Sequence, residues 1–239
     1  MKDLLSWIPT SPRAVVAVGR LLLPPLLFLC LGAFIITAWL IINSPPDYLQ
    51  GQAVKIMFIH VPAAYLASIC YFGLAICCFG FLGWRQPLLA DMANSIALVG
   101  LLFTIICLLT GSIWGKPMWG TWWVWDARLT SVFVLLLLYV GQIGLARSML
   151  DYRPAALVAG VGLVNLPIIK FSVAWWQTLH QGSSLLRKDG PTIAPQLLTP
   201  LLWSLFAFTV LALIFFLWLF QGRLYKKMVK NYYVMKGKK

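Results

Sequence analysis

The chain has 239 residues, of which 61% are apolar and only 10% charged, and its mean hydropathy is +0.86. Soluble domains carry about 45–50% apolar and about 25% charged residues. Six Asp and no Glu leave too little polar surface for water, which excludes a soluble enzyme, a disordered chain and a fibrous repeat. A net charge of +13 raises nucleic acid as a partner, but seven of the nineteen basic residues fall between Arg223 and Lys239, directly behind a long apolar segment. That is where Lys and Arg anchor a membrane helix, so the partner expected is the lipid bilayer and no nucleic acid.

The first segment, Met1 to Arg20, contains Asp3 and two prolines and no apolar core before a small-residue cleavage site, so it is expected to be retained. Apolar runs without Asp, Lys or Arg then follow at Leu21–Asn43, Ile56–Trp84, Met92–Gly115, Leu129–Ala146, Pro154–Ile169 and Leu197–Gly222. A bilayer core needs about 20 helical residues. Five runs meet or approach that length. The Pro154 run is short and must borrow Lys170 to Val173, with the lysine reaching back to the interface.

The expected fold is therefore all-α: a polytopic membrane protein with six transmembrane helices in one domain, 1–239, ending in a basic cytoplasmic tail, 221–239. With the N-terminus inside, thirteen basic residues lie in cytoplasmic segments and six in outer ones. The positive-inside rule then gives N-in and C-in. Without the tail the count is six to six, so the orientation rests on the C-terminus. The five cysteines (Cys30, Cys70, Cys77, Cys78 and Cys107) all sit in apolar stretches with no C-x-x-C spacing, as small buried hydrophobes do.

The loop after the third span is the chemically informative one. Five of the twelve tryptophans (Trp114, Trp119, Trp122, Trp123 and Trp125) lie within twelve positions. An interfacial aromatic belt would account for one or two Trp at a helix end. A loop this dense also suits a flat platform for a large planar ligand, because indoles stack and keep a polar N–H. Gly115, Pro117 and Gly120 are expected to keep the start of the loop non-helical, freeing the indoles from a cylinder.

Asp126 stands where it would cap the fourth span. Arg128 reads either as an interfacial anchor or as a partner for a ligand carboxylate. The chain has two histidines: His60, about one turn into the second span, and His180, in the third outer loop. Helix parity puts both at the end that carries the tryptophans. A membrane histidine often serves packing, but an ionisable residue in a span is a functional candidate. Two imidazoles beside indoles suit the axial positions of a haem. Two are too few for zinc, which takes three or four protein ligands. Neither a hydrolytic triad nor a P-loop is present, so no catalytic residues and no enzyme activity are expected.

The run from Trp119 to Thr130, Trp-Gly-Thr-Trp-Trp-Val-Trp-Asp-Ala-Arg-Leu-Thr, resembles the tryptophan-rich WWD motif of haem-handling proteins in cytochrome c biogenesis. With His60 ahead of the motif and His180 behind it, the whole chain resembles the CcmC family, the haem exporter protein C of cytochrome c maturation. The resemblance implies a multi-pass protein of the bacterial cytoplasmic (inner) membrane that binds haem b, as a transported ligand, at the periplasmic face. It implies His60 and His180 as iron ligands, Trp114, Trp119, Trp122, Trp123, Trp125 and Asp126 around the ring, and Arg128 for a propionate. It further implies delivery to a periplasmic haem chaperone, with possible help in covalent attachment, and association with ABC-type ATPase and permease subunits and a small single-span membrane subunit. His180, near Gly182, Ser183 and Ser184, is expected to be the ligand that lets go. The alternative reading is a permease subunit that conducts haem or another lipophilic substrate.

Overall fold

The computed structural model describes residues 12–176, 178–180, 182, 185 and 190–236. Expectations that fall on Met1 to Ser11, Ser183, Ser184, Arg187, Lys188 or the last three residues lie outside them. The chain forms α1 (Pro12–Asn43), a short 3-10 turn (Gln52–Ile56), α2 (Met57–Trp84), α3 (Pro87–Trp119), α4 (Ala127–Ser148), α5 (Arg153–Gly162), α6 (Asn165–Trp175) and α7 (Pro195–Lys236). No strand is formed among the described residues, beyond a single bridge between Asp47 and Gly51. Six helical segments are long and apolar enough to cross a membrane, with α5 and α6 together making the fifth.

The bundle is inside-out relative to a soluble protein. Large apolar side chains such as Leu21, Phe28, Trp39 and Ile42 face outward, while Ser95, Thr104, Gln142, Ser172 and Ser204 are buried. Lipid is as apolar as a leucine side chain, so helices in a bilayer associate through close packing and internal hydrogen bonds. Tyr139 is completely buried on α4 and donates to the Ala67 carbonyl of α2 at 2.8 Å. Its ring meets Tyr71 edge to face, and a Cβ on Gly100 of α3 would overlap its hydroxyl. These two tyrosines, with Leu74, Cys78, Ala93, Leu135, Ala156 and Ala159, form the centre of the bundle. The cysteines are free, and all are buried except the partly exposed Cys70, as expected of small hydrophobes.

Three features differ in detail from the sequence expectation. The fifth span is broken at Leu163–Val164. Pro167 has no N–H and its ring collides with the carbonyl four residues back, at Leu163. Asn165 ties the break to α4 by donating to the Ser131 carbonyl at 2.9 Å. Secondly, α3 runs on to Trp119, past the expected end at Gly115. Thirdly, α7 continues without interruption past the apolar run, through the basic residues to Lys236. Its extension is clamped to α3 by Lys227 and the buried Asp91, 2.6 Å apart, and by Arg223 donating to the Asn94 carbonyl at 3.4 Å.

Candidate haem-binding site

His60 sits one turn into α2. Its Nδ1 is 3.1 Å from both the Cys107 carbonyl and the Thr110 hydroxyl oxygen of α3. Thr110 gives its own proton to the Ile106 carbonyl at 2.7 Å, so its oxygen accepts from His60. Nδ1 therefore carries the imidazole proton and Nε2 keeps its lone pair. Gly111 makes room for the ring, since a Cβ there would stand 3.1 Å from His60 Cε1. Trp114, one turn along α3, meets the imidazole edge to face with centroids 5.6 Å apart. Its indole N–H donates to Gln50 Oε1 at 3.0 Å. Gln50 is held in turn by Asp47, whose Oδ1 accepts the N–H groups of Leu49 and Gln50, each at 2.9 Å.

His180 follows α6 and arrives at the same end of the bundle. Its Nδ1 is 3.2 Å from Asp126 Oδ2, and the other oxygen of that carboxylate accepts the Leu129 N–H at 2.7 Å. Asp126 thus caps α4, as the sequence leads one to expect, and also holds the histidine. Burial lowers the His180 pKa below its ordinary value, and the Asp126 carboxylate offsets this only in part. The ring is consequently neutral at pH 7. Trp119, the last residue of α3, lies edge-on to it at 4.9 Å. Among the described residues neither His60 nor His180 has a hydrogen-bond partner on Nε2.

The expected non-helical start of the tryptophan loop is not formed. The α3 helix continues through Gly115 and Pro117 and stops at Gly120, which takes a left-handed φ of 76° and donates to the Lys116 carbonyl at 3.1 Å. Proline removes one helical hydrogen bond, and the turn around it is kept by its neighbours and by the apolar surroundings. The close approach at Gly115 explains that glycine: a Cβ would meet the Trp119 ring at 3.0 Å.

The indoles accordingly form two groups instead of one flat surface. Trp114 and Trp119 lie on α3 beside the histidines. Trp123 and Trp125 meet each other edge to face at 77° and pack on Phe133, over an outward apolar groove lined by Ile105, Leu108, Leu109 and Leu136. Trp122 is largely exposed, with the Lys116 ammonium 6.0 Å from its ring. The Nε1 of Trp123 is buried without a hydrogen-bond partner among the described residues.

Arg128 links α4 to α6. Its Nε donates to Ser172 Oγ at 3.3 Å, and one terminal nitrogen reaches the Ile169 and Lys170 carbonyls, each at 3.5 Å. The guanidinium thereby ties the first turn of α4 to the middle of α6. Sequence reasoning did not single out Gln50, Thr110, Gly111 or Ser172. No motif marks them, since each acts through a contact with a distant helix.

The model of the family described as "Heme exporter protein C" matches residues 6–235. The chain belongs to the haem exporter protein C family. A protein of that name from Bradyrhizobium diazoefficiens is 46% identical over 81% of this chain and 75% of its own length. The Heme exporter protein C of Escherichia coli K12 is 44% identical over 81% of this chain and 84% of its own. A "Putative cytochrome c biosynthesis ccmC-like mitochondrial protein" of Marchantia polymorpha is 42% identical over 80% of this chain and 81% of its own. The relatives thus come from bacteria and a plant, and the region matched by the family model contains every residue of the candidate site.

Proposed function

We propose that this chain holds haem b at the periplasmic face of the bacterial inner membrane and hands it to a periplasmic haem chaperone during cytochrome c maturation. His60 and His180 ligate the iron through Nε2, and Trp114 and Trp119 flank the ligands. One observation carries the reading. The two histidines of the chain, 120 positions apart in sequence, come to one end of the bundle in the same tautomer, each with Nδ1 engaged and Nε2 unpartnered among the described residues. Neutral imidazoles of this kind are ordinary haem ligands, and two of them fill both axial positions. The donors fit haem better than a bare metal ion, because no cluster of three His, Cys, Asp or Glu exists among the described residues.

The names of the relatives support haem as cargo and cytochrome c assembly as the context. In this reading Trp122, Trp123 and Trp125 shield the ring edge at the lipid side. Arg128 takes a propionate with the guanidinium nitrogen that Ser172 and the α6 carbonyls leave over. N-in and C-in orientation follows from the basic residues at the end of the bundle opposite the histidines. The chain is a transfer component without turnover of its own, assembled with an ABC-type ATPase and permease and a small single-span subunit.

The test is an absorption spectrum of the purified chain, without chaperone, beside His60→Ala and His180→Ala. A low-spin six-coordinate haem in the wild type that becomes high-spin or is lost in each variant is the expected result. A wild type that stays colourless after haem is added refutes the proposal.

A further inference from the structure

We propose that Asp126 is a positioning residue that makes His180 the stronger of the two iron ligands, so that His60 is the one to yield when haem is handed on. This rests on the haem-holding reading above. It reverses the expectation drawn from the loop position of His180.

The two imidazoles share a tautomer but not a partner. His60 Nδ1 donates to neutral acceptors, the Cys107 carbonyl and the Thr110 hydroxyl, both at 3.1 Å. His180 Nδ1 faces a carboxylate oxygen, Asp126 Oδ2, at 3.2 Å. A carboxylate only accepts, so the proton must sit on Nδ1 and Nε2 must be the ligating atom. A charged acceptor also draws on that proton more strongly than a neutral one. The imidazole then gives more electron density to a metal, as carboxylate partners of metal-bound histidines do.

Asp126 is well placed to hold this geometry. Its side chain is only 6% exposed, and its second oxygen is engaged by the Leu129 N–H at 2.7 Å. Turning the carboxylate away from His180 would uncap α4. Trp119 adds an edge-on contact to the ring, with centroids 4.9 Å apart. A histidine on a loop is thus fixed by a helix cap and an indole, whereas His60 owes its place to its helix and to neutral, weaker acceptors.

The chain has only two histidines, so 15N-histidine labelling of the full-length protein with an untagged terminus reports two imidazoles alone. In haem-free wild type both are expected as Nδ1–H. In Asp126→Asn, the His180 signal is expected to become a mixture of tautomers while His60 is unchanged. Asn remains a good N-cap, so α4 is kept.

With haem added, His60→Ala is expected to retain it about 10–100-fold more tightly than His180→Ala, the usual effect of an outer partner on metal affinity. Adding Asp126→Asn to His60→Ala should abolish that advantage. Adding it to His180→Ala should change little. Equal affinities in the two histidine variants, or the same loss from Asp126→Asn in both backgrounds, overturn the proposal. A wild type that binds no haem removes the holding site and the ligand ranking together. In that case the Asp126-dependent tautomer still reads out by itself, so the two failures are distinguishable.

Discussion

Gly111 offers the sharpest test of the geometry around His60. A methyl group added there would lie 3.1 Å from His60 Cε1 and 3.6 Å from Nδ1. Carbon atoms pack comfortably at about 3.5–4.0 Å, so the ring must retreat by roughly 0.5 Å. Its Nδ1 hydrogen bonds to Cys107 and Thr110 are both 3.1 Å long, so a retreat of that size brings them to the limit of a real bond. Losing one costs about 0.5–1.5 kcal/mol. Replacing Gly by Ala inside a helix returns about 1 kcal/mol. The two nearly cancel in stability, but they do not cancel at the metal, where ligand distances hold to about 0.2 Å. Gly111→Ala is therefore expected to fold and melt within about 1 kcal/mol of wild type while binding haem about tenfold more weakly. Titration of haem into the protein in nanodiscs measures this, with Gly141→Ala, whose added methyl meets nothing within 4 Å, as the control. Wild-type haem affinity in Gly111→Ala would refute the placement of His60 against α3.

Other perturbations separate packing from the site. Gln50→Ala removes the acceptor of the Trp114 indole N–H and should destabilise the fold by about 1 kcal/mol, read from thermal unfolding, while weakening haem binding by freeing the indole beside His60. Lys227→Ala leaves Asp91 buried without its cation and should destabilise by about 1–3 kcal/mol, read from tryptophan fluorescence during thermal unfolding. Asp91→Asn in the same chain should recover most of that loss, and a double variant no better than Lys227→Ala would discount the ion pair. Gly100→Ala should also destabilise, by about 1–3 kcal/mol, despite the better helix former, because its methyl would overlap the Tyr139 hydroxyl.

Much of the architecture is legible in the sequence because charge is so scarce. In a chain with 10% charged residues, each basic residue is a boundary mark, and all six spans can be located from those marks. The same scarcity makes Asp126 readable as a helix cap, which it is. The misreading at Gly115 and Pro117 has a physical source. Both residues break helices in water, where freed backbone groups find solvent, whereas an apolar setting favours keeping the remaining helical bonds. The indoles divide for the same reason, since Trp114 and Trp119 stay on a helix while Trp123 and Trp125 do not. That His60 and His180 share one end is legible from helix parity. Their partners are not: Thr110 lies 50 residues from His60, and Asp126 lies 54 from His180. Arg128 reads as an anchor or a ligand partner, and its span to Ser172 and two carbonyls of α6 has no signature at all.

The unbroken course of α7 has a mechanical meaning. Ser204, near one end, donates to the carbonyl of Phe58, two residues before His60. Lys227, near the other, grips Asp91. The 23 helical steps from one to the other span about 35 Å of continuous helix. Pro200 lies beyond that stretch, which contains no proline and, in Gly222, a single glycine. A rod without a joint cannot absorb a displacement locally. Force applied to the basic end is carried along the helix as a tilt to the backbone two residues before His60, so the two ends of the bundle are mechanically coupled.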